Sequence, residues 1–356
     1  MNSELIDAHF AEAIQAQTFS AAQILLAQGE TILFSKSYGS LRYPPAPRVN
    51  DATLFDIASL TKIIATTPLA MMAVQEGRLK LDASVQSYLP LFDRAEKITI
   101  RHLLAHNSGL PAWLPLFQET LGKSCSTEEI SEQFIASINA TKLIQAPGIK
   151  KIYSDLGFML LGFIFEKIYA EKISSLFIKL IAQPCGLQET CYNPLQKNPN
   201  SSELNIAATE SCPWRGKTLQ GEVHDDNAFV LGGAAGHAGL FSTAQDLHRF
   251  TIFLLQTYSG KNEKLNASTF RAFVENPDGF RLGWDSVSRP QSQAGKYFSA
   301  QTIGHLAFTG CSYWLDLQDL KSIILLTNRV HPSRDNAAIK SFRPKIHDLL
   351  VSTFLS

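Results

Sequence analysis

Apolar positions recur at helical spacing over residues 4–19, where Leu5, Ile6, Phe10, Ala13 and Ile14 share one face. Two apolar runs follow at 23–27 and 31–35, parted by Gln28-Gly29-Glu30, which predicts a β-hairpin. A loop containing Tyr and Pro residues covers 38–50. Residues 59–76 read as a helix, with Pro68 predicting a kink inside it. Helical periods then dominate at 98–105, 127–138, 155–171 and 173–183. Beyond residue 220 the pattern changes to short strand-like runs, clearest at 239–243, 306–309, 312–315 and 322–327. A helix at 338–354 closes the chain, and no internal repeat interrupts this order.

A lone hairpin is not stable in water. The early hairpin is therefore expected to join the late strands in one antiparallel sheet, flanked by the terminal helices. The predicted class is α/β in the α+β sense, with an all-helical lobe of residues 85–195 inserted into a sheet lobe of 1–84 and 196–356. A cleft between two such lobes is the expected place for a site.

Composition narrows the function classes. The chain has 356 residues, with 32 Lys+Arg against 32 Asp+Glu, so its formal net charge is zero. That balance gives no pull toward nucleic acid or an anionic membrane. A small-molecule or short-peptide substrate is expected, with no nucleic-acid or membrane partner. The uncharged apolar stretches 63–74 and 156–165 are too short to span a bilayer. Met1-Asn2-Ser3-Glu4 starts no signal-like pattern, so a cytoplasmic location is expected. The five cysteines lack CxxC spacing. They are expected as reduced thiols, without a zinc site or disulfide framework.

Three short stretches carry the chemistry. In Ser59-Leu60-Thr61-Lys62, helical spacing puts the lysine ammonium within reach of the serine hydroxyl. A serine needs a base to become a nucleophile, and a buried lysine can shed its proton to serve as one. Tyr153-Ser154-Asp155 opens the apolar helix at 155. Ser154 or Asp155 suits a helix cap there, whereas Tyr153 suits proton transfer. His305-Leu306-Ala307-Phe308 precedes a strand-like run, and His305 can supply a hydrogen-bonding or positive group. Each signal alone is weak.

Weaker candidates surround them. Residues 232–236 lack the Gly-Lys-Ser/Thr of a phosphate loop. His224-Asp225-Asp226 reads as a wall-forming loop rather than a metal site, and His102 and His106 read as structural. Trp113, Trp214 and Tyr192 are candidates to line the cleft, with core packing as the alternative. No metal or cofactor is expected.

In this order and spacing the three stretches resemble the serine β-lactamase and penicillin-binding protein superfamily, nearest its class C and DD-peptidase-like esterase branch. Ser59–Lys62 matches SxxK, Tyr153–Asp155 matches Tyr-x-Asn, and His305–Ala307 falls where that family has Lys-Thr-Gly or His-Thr-Gly. The stretches 100–111 and 236–244 are similar to family segments as well. The resemblance implies acylation of Ser59, with Lys62 as base and Tyr153 as proton shuttle. It implies an oxyanion hole from the Ser59 and Phe308 backbone N–H groups. Two departures stand out. Asp155 replaces the usual Asn and is expected to favour a charged Lys62. Leu306-Ala307 replaces Thr-Gly, which removes a hydroxyl from the carboxylate-binding position. The implied function is ester or peptide-amide hydrolysis, with a D-amino-acid-containing muropeptide among the substrates. The alternative is a catalytically weak protein that binds a peptidoglycan-derived ligand.

Overall fold

The computed structural model describes residues 2–197, 205–275, 280–288 and 290–355. Strands β1 (Ala21–Gln28) and β2 (Thr31–Gly39) form the hairpin expected from the sequence. They join β3 (Asp285–Ser286), β4 (Thr302–Leu306), β5 (Ser312–Asp316) and β6 (Lys321–Thr327) in one antiparallel sheet, ordered β2-β1-β6-β5-β4-β3.

Strand β1 explains why the sheet needs cover on both faces. Ala22, Ile24 and Leu26 point to one side, with Ile323 and Leu325 of β6. Ala21, Leu25 and Ala27 point to the other, with Ile324 and Leu326. Helices α1 (Asn2–Gln15) and α5 (Ile339–Phe354) cover the first side through Ile6, Phe10, Ile346 and Leu350. Helix α4 (Ala244–Tyr258) packs on β1 and β6 through the second. Each fully buried large apolar side chain contributes about 1.5–3 kcal/mol over exposure. Gln23 is the polar exception in β1. Its amide donates to the Asn50 carbonyl at 2.8 Å and accepts from the Ala244 N–H at 2.8 Å, so no buried polar group there is wasted.

Three expectations are corrected. The run at 239–243 forms Leu240–Ser242, but this strand pairs with Phe55–Asp56 and Cys191–Tyr192 in a separate sheet. The strand expected at 306–309 ends at Leu306 instead, because Gly310 turns the chain with φ 106°. The helix expected over 59–76 is not uniform. A 3₁₀ turn at Ala58–Leu60 and a π turn at Lys62–Thr66 precede a regular helix α2, Thr67–Gln75. Pro68 sits in the first turn of α2, directly after the π turn.

Helix α3 (Asp155–Tyr169) is buried almost all round and crosses close to the glycine-rich stretch. A Cβ on Gly236 would stand 2.2 Å from the Phe158 carbonyl oxygen. The glycine is thus required by close approach of two backbones. Among the described residues no helix is long and apolar enough to cross a membrane. The five cysteines are free thiols.

Candidate active site

The short strand Phe55–Asp56 delivers the chain to Ser59. Asp56 is buried, and its carboxylate accepts from the Ala58 N–H at 2.8 Å and the His224 N–H at 2.7 Å. Ala58 adopts φ 42°, a conformation that costs a non-glycine residue on the order of 1 kcal/mol. This bend throws Ser59 into a cleft, and Lys62 follows one turn later. Lys62 has no exposed surface. Its Nζ donates to Ser59 Oγ at 3.1 Å and to the His237 carbonyl at 2.9 Å, and lies 2.7 Å from an Asp155 oxygen. Burial pulls the Lys62 pKa below the ordinary lysine value, against the Asp155 carboxylate, which works to raise it. Asp155 favours the charged lysine, as expected from the sequence, and desolvation opposes it as the larger effect.

The start of α3 supplies the second group. The Tyr153 hydroxyl donates to Ser59 Oγ at 2.9 Å. Burial of that end, then the Asp155 charge, pushes the phenol well above its usual range. Tyr153 thus holds its proton at neutral pH. Ser154 and Asp155 do not cap the helix with their side chains. Ser154 Oγ donates to the Pro111 carbonyl at 2.6 Å, and Asp155 turns to Lys62. His106 Nδ1 accepts the Ser154 N–H at 3.1 Å, and its ring packs on Tyr153 with centroids 4.6 Å apart. The reading of His106 as structural is thereby sharpened: it fixes the segment that aims Tyr153.

The third stretch closes the cleft. His305, on β4, is buried, with its ring centroid 5.6 Å from that of Tyr153. Burial lowers its pKa and Asp285 works the other way, leaving the imidazole neutral at pH 7. Leu306, Ala307 and Phe308 line the same wall. The Ala307 N–H is held by the Cys311 carbonyl at 2.8 Å.

Ser59, Tyr153, Asp155, His305, Ala307 and Phe308 surround one cavity of about 960 Å³. Lys62 lies beneath it. His224, Asp225 and Asp226 form another wall, and each is engaged. His224 pairs with Glu210 at 3.1 Å, Asp225 with His237 at 2.8 Å, and Asp226 with Arg215 at 2.9 Å. Trp113 lines the cavity, whereas Tyr192 is buried against Phe177 and lies outside it. Trp214 stands beside it, in an adjoining hollow.

A family model described as Beta-lactamase matches residues 6–343. This chain belongs to the beta-lactamase family. It is a serine hydrolase of that family. It is 33% identical over 326 residues to a Bacillus subtilis protein named N-acetylmuramyl-L-alanine amidase, covering 84% of this chain and 73% of that one. It is 31% identical over 350 residues to an Escherichia coli K12 protein named putative D-alanyl-D-alanine carboxypeptidase, covering 88% and 79%. Among solved structures it resembles EstCE1, a hydrolase with promiscuous acyltransferase activity, with TM-score 0.77 and 21% identity over 98% of both chains. A class C beta-lactamase mutant aligns with TM-score 0.72 and 19% identity over 98% of this chain and 97% of that one. These likenesses extend the fold to the whole chain.

Several residues of this beta-lactamase-family cleft were not foreseen. Lys340 and Arg343, on α5, and Arg329 face the cavity. Arg343 is buried and donates to Gln293 Oε1 at 2.7 Å and to the Gly310 carbonyl at 2.8 Å. Burial brings its pKa down to about 10, so it remains a cation at neutral pH. Two basic residues three apart on one predicted helix were the available signal. Only the tertiary fold shows that this helix edge borders Ser59.

Proposed function

We propose that the protein cleaves an amide or ester of a peptidoglycan-derived fragment through an acyl-enzyme on Ser59. The observation that carries this reading is the buried Lys62, in contact with Ser59 and lowered in pKa, beside a Tyr153 that keeps its proton. As Ser59 Oγ bonds to the carbonyl carbon, its proton passes to Lys62. The oxyanion is met by the Ser59 and Phe308 N–H groups. The carbon–nitrogen or carbon–oxygen bond then breaks, and the leaving group takes a proton from Tyr153, which Lys62 restores. Water attacks the acyl ester by the reverse relay and frees Ser59 with a carboxylic acid.

The relatives named amidase and carboxypeptidase support muropeptide fragments as the substrate class. The basic end of the cavity at Arg329, Lys340 and Arg343 suits a substrate carboxylate. It supplies a positive group that neutral His305 and Leu306 do not. The same reading places a helical lobe, 85–195, against a sheet lobe of 1–84 and 196–356, with the site between. The free thiols accord with work in the cytoplasm on fragments released from the wall.

The test is direct. The protein is incubated with N-acetylmuramyl-L-alanyl and D-alanyl-D-alanine-terminated peptides, and products are identified by mass spectrometry. A fluorophosphonate is expected to add to Ser59 and to block turnover. Absence of both turnover and adduct would leave the fold as a ligand-binding one.

A further inference from the structure

Trp113 is 43% exposed although its backbone is held on both sides. The Pro111 and Ala112 carbonyls accept from Ser154 Oγ at 2.6 Å and the Asp155 N–H at 2.9 Å. Past it, the Leu114 carbonyl accepts from buried Asn227 at 2.9 Å, and Asn227 in turn accepts the Phe117 N–H at 2.9 Å. The ring therefore stands in water on a loop tied to the helix that carries Tyr153 and Asp155. A large apolar face fixed in this way loses little entropy when a ligand covers it.

The ring borders two spaces. One is the cavity over Ser59. The other is a hollow of about 440 Å³ that shares Trp113, Asp226, Arg334 and Asp335 with it. Trp214 forms the far side of this hollow, with its indole N–H donating to Asp226 at 3.0 Å and its ring stacked on Phe117. Arg334 is fixed by Glu210 at 2.7 Å, and exposed Asp335 accepts from Ser333 Oγ at 3.2 Å. An aromatic plate ringed by carboxylates, a guanidinium and hydroxyls matches a ring with an apolar face and a polar rim. A pyranose is such a ring, with axial C–H groups on one face and hydroxyls around its edge.

We propose that Trp113 and the hollow beside it form a subsite for a pyranose ring carried by the substrate, stacked on the indole, with its hydroxyls turned to Asp335 and Arg334. This deepens the reading of the substrate as a peptidoglycan fragment and rests on it for the reaction. Its binding arm is independent of catalysis.

In that arm, saturation-transfer NMR follows methyl N-acetyl-β-glucosaminide with the Ser59→Ala protein. Transfer to the ring protons is expected. It should fall several-fold in Ser59→Ala/Trp113→Ala and persist in part in Ser59→Ala/Trp113→Phe. In the kinetic arm, N-acetylmuramyl-L-alanine is compared with lactoyl-L-alanine, which keeps the amide and lacks the sugar. Trp113→Ala should cost about tenfold more in kcat/KM on the first than on the second. Absent transfer, or transfer indifferent to Trp113, overturns the subsite whatever the kinetics show. Equal losses on the two amides also overturn it. If neither amide is cleaved while Trp113-dependent transfer is seen, the subsite stands and the proposed reaction fails.

Discussion

Lys62 Nζ lies 2.7 Å from an Asp155 oxygen, yet its pKa falls below that of an ordinary lysine. The two effects oppose, and complete burial of Lys62 is the larger. Removing the carboxylate should therefore lower the lysine pKa further. In Asp155→Asn the acidic limb of the kcat/KM profile should move to lower pH. A pH series on an activated ester measures it. Movement to higher pH would show that the limb reports some group other than Lys62.

Ser59→Ala should remove hydrolysis of an activated ester by a factor on the order of 10⁴ or more, with the thermal midpoint nearly kept. Tyr153→Phe should slow the same reaction by roughly 10²-fold or more, because the relay loses its middle proton carrier. Stopped-flow assays with both variants decide this. Wild-type turnover in Ser59→Ala would remove it as nucleophile.

Acylation by penicillins should be slow. His305 is neutral, and Leu306 offers no hydroxyl to a carboxylate. Restoring Thr-Gly at 306–307 should raise the second-order acylation rate about ten- to a hundredfold, the worth of one hydrogen bond to a charged group. A fast wild type would instead assign the carboxylate to the basic end of the cleft. In that event Lys340→Ala should slow it.

Acid should weaken the fold before carboxylates begin to titrate. His106, His305 and His347 are buried with pKa values lowered by desolvation, His347 to about 3. The folded chain keeps them neutral, whereas the unfolded chain takes protons below about pH 6.5. Their stabilising contribution is thus present above that pH and is lost as pH falls through it, by ~1.4 kcal/mol per pH unit for each histidine at most. Glu210, held down to about 2 by His224 and Arg334 against its own burial, loses its part only at lower pH. Melting curves from pH 7.5 to 4.5 should show a nearly constant Tm above about pH 6.5 and a falling Tm below it. A flat Tm down to pH 5 would mean that these imidazoles exchange protons in the native state.

Much of this was legible in the sequence because the signals were local. β1 and β2 flank a Gln28-Gly29-Glu30 turn, and α5 follows its period to within one residue of the expected bounds. The nearness of Lys62 to Ser59 was legible from helical spacing, and that of Tyr153 from the order of the motifs. The strand Phe55–Asp56 was not, since two residues hold no period. Lys62–Thr66 winds as a π turn, which apolar spacing does not distinguish from an α-helix. His106 was singled out without its role, because its contact with Ser154 spans 48 residues. Arg343 escaped because its neighbours Gln293 and Gly310 are distant in the chain.

The hairpin strand β1 has a consequence for how the molecule comes into being. Its inner edge pairs with β6, and the Ala21 N–H is held by Asn328, 307 residues later. Closing so long a loop is costly in entropy before any contact repays it. On a ribosome, β1 waits unpaired on one side until β6 emerges, along with the wall bearing His305 and Phe308. Ser59 is made early but acquires the rest of its cleft last. A nascent chain stalled before residue 320 should therefore be inert toward the fluorophosphonate, and the hydrolase should switch on only as synthesis ends.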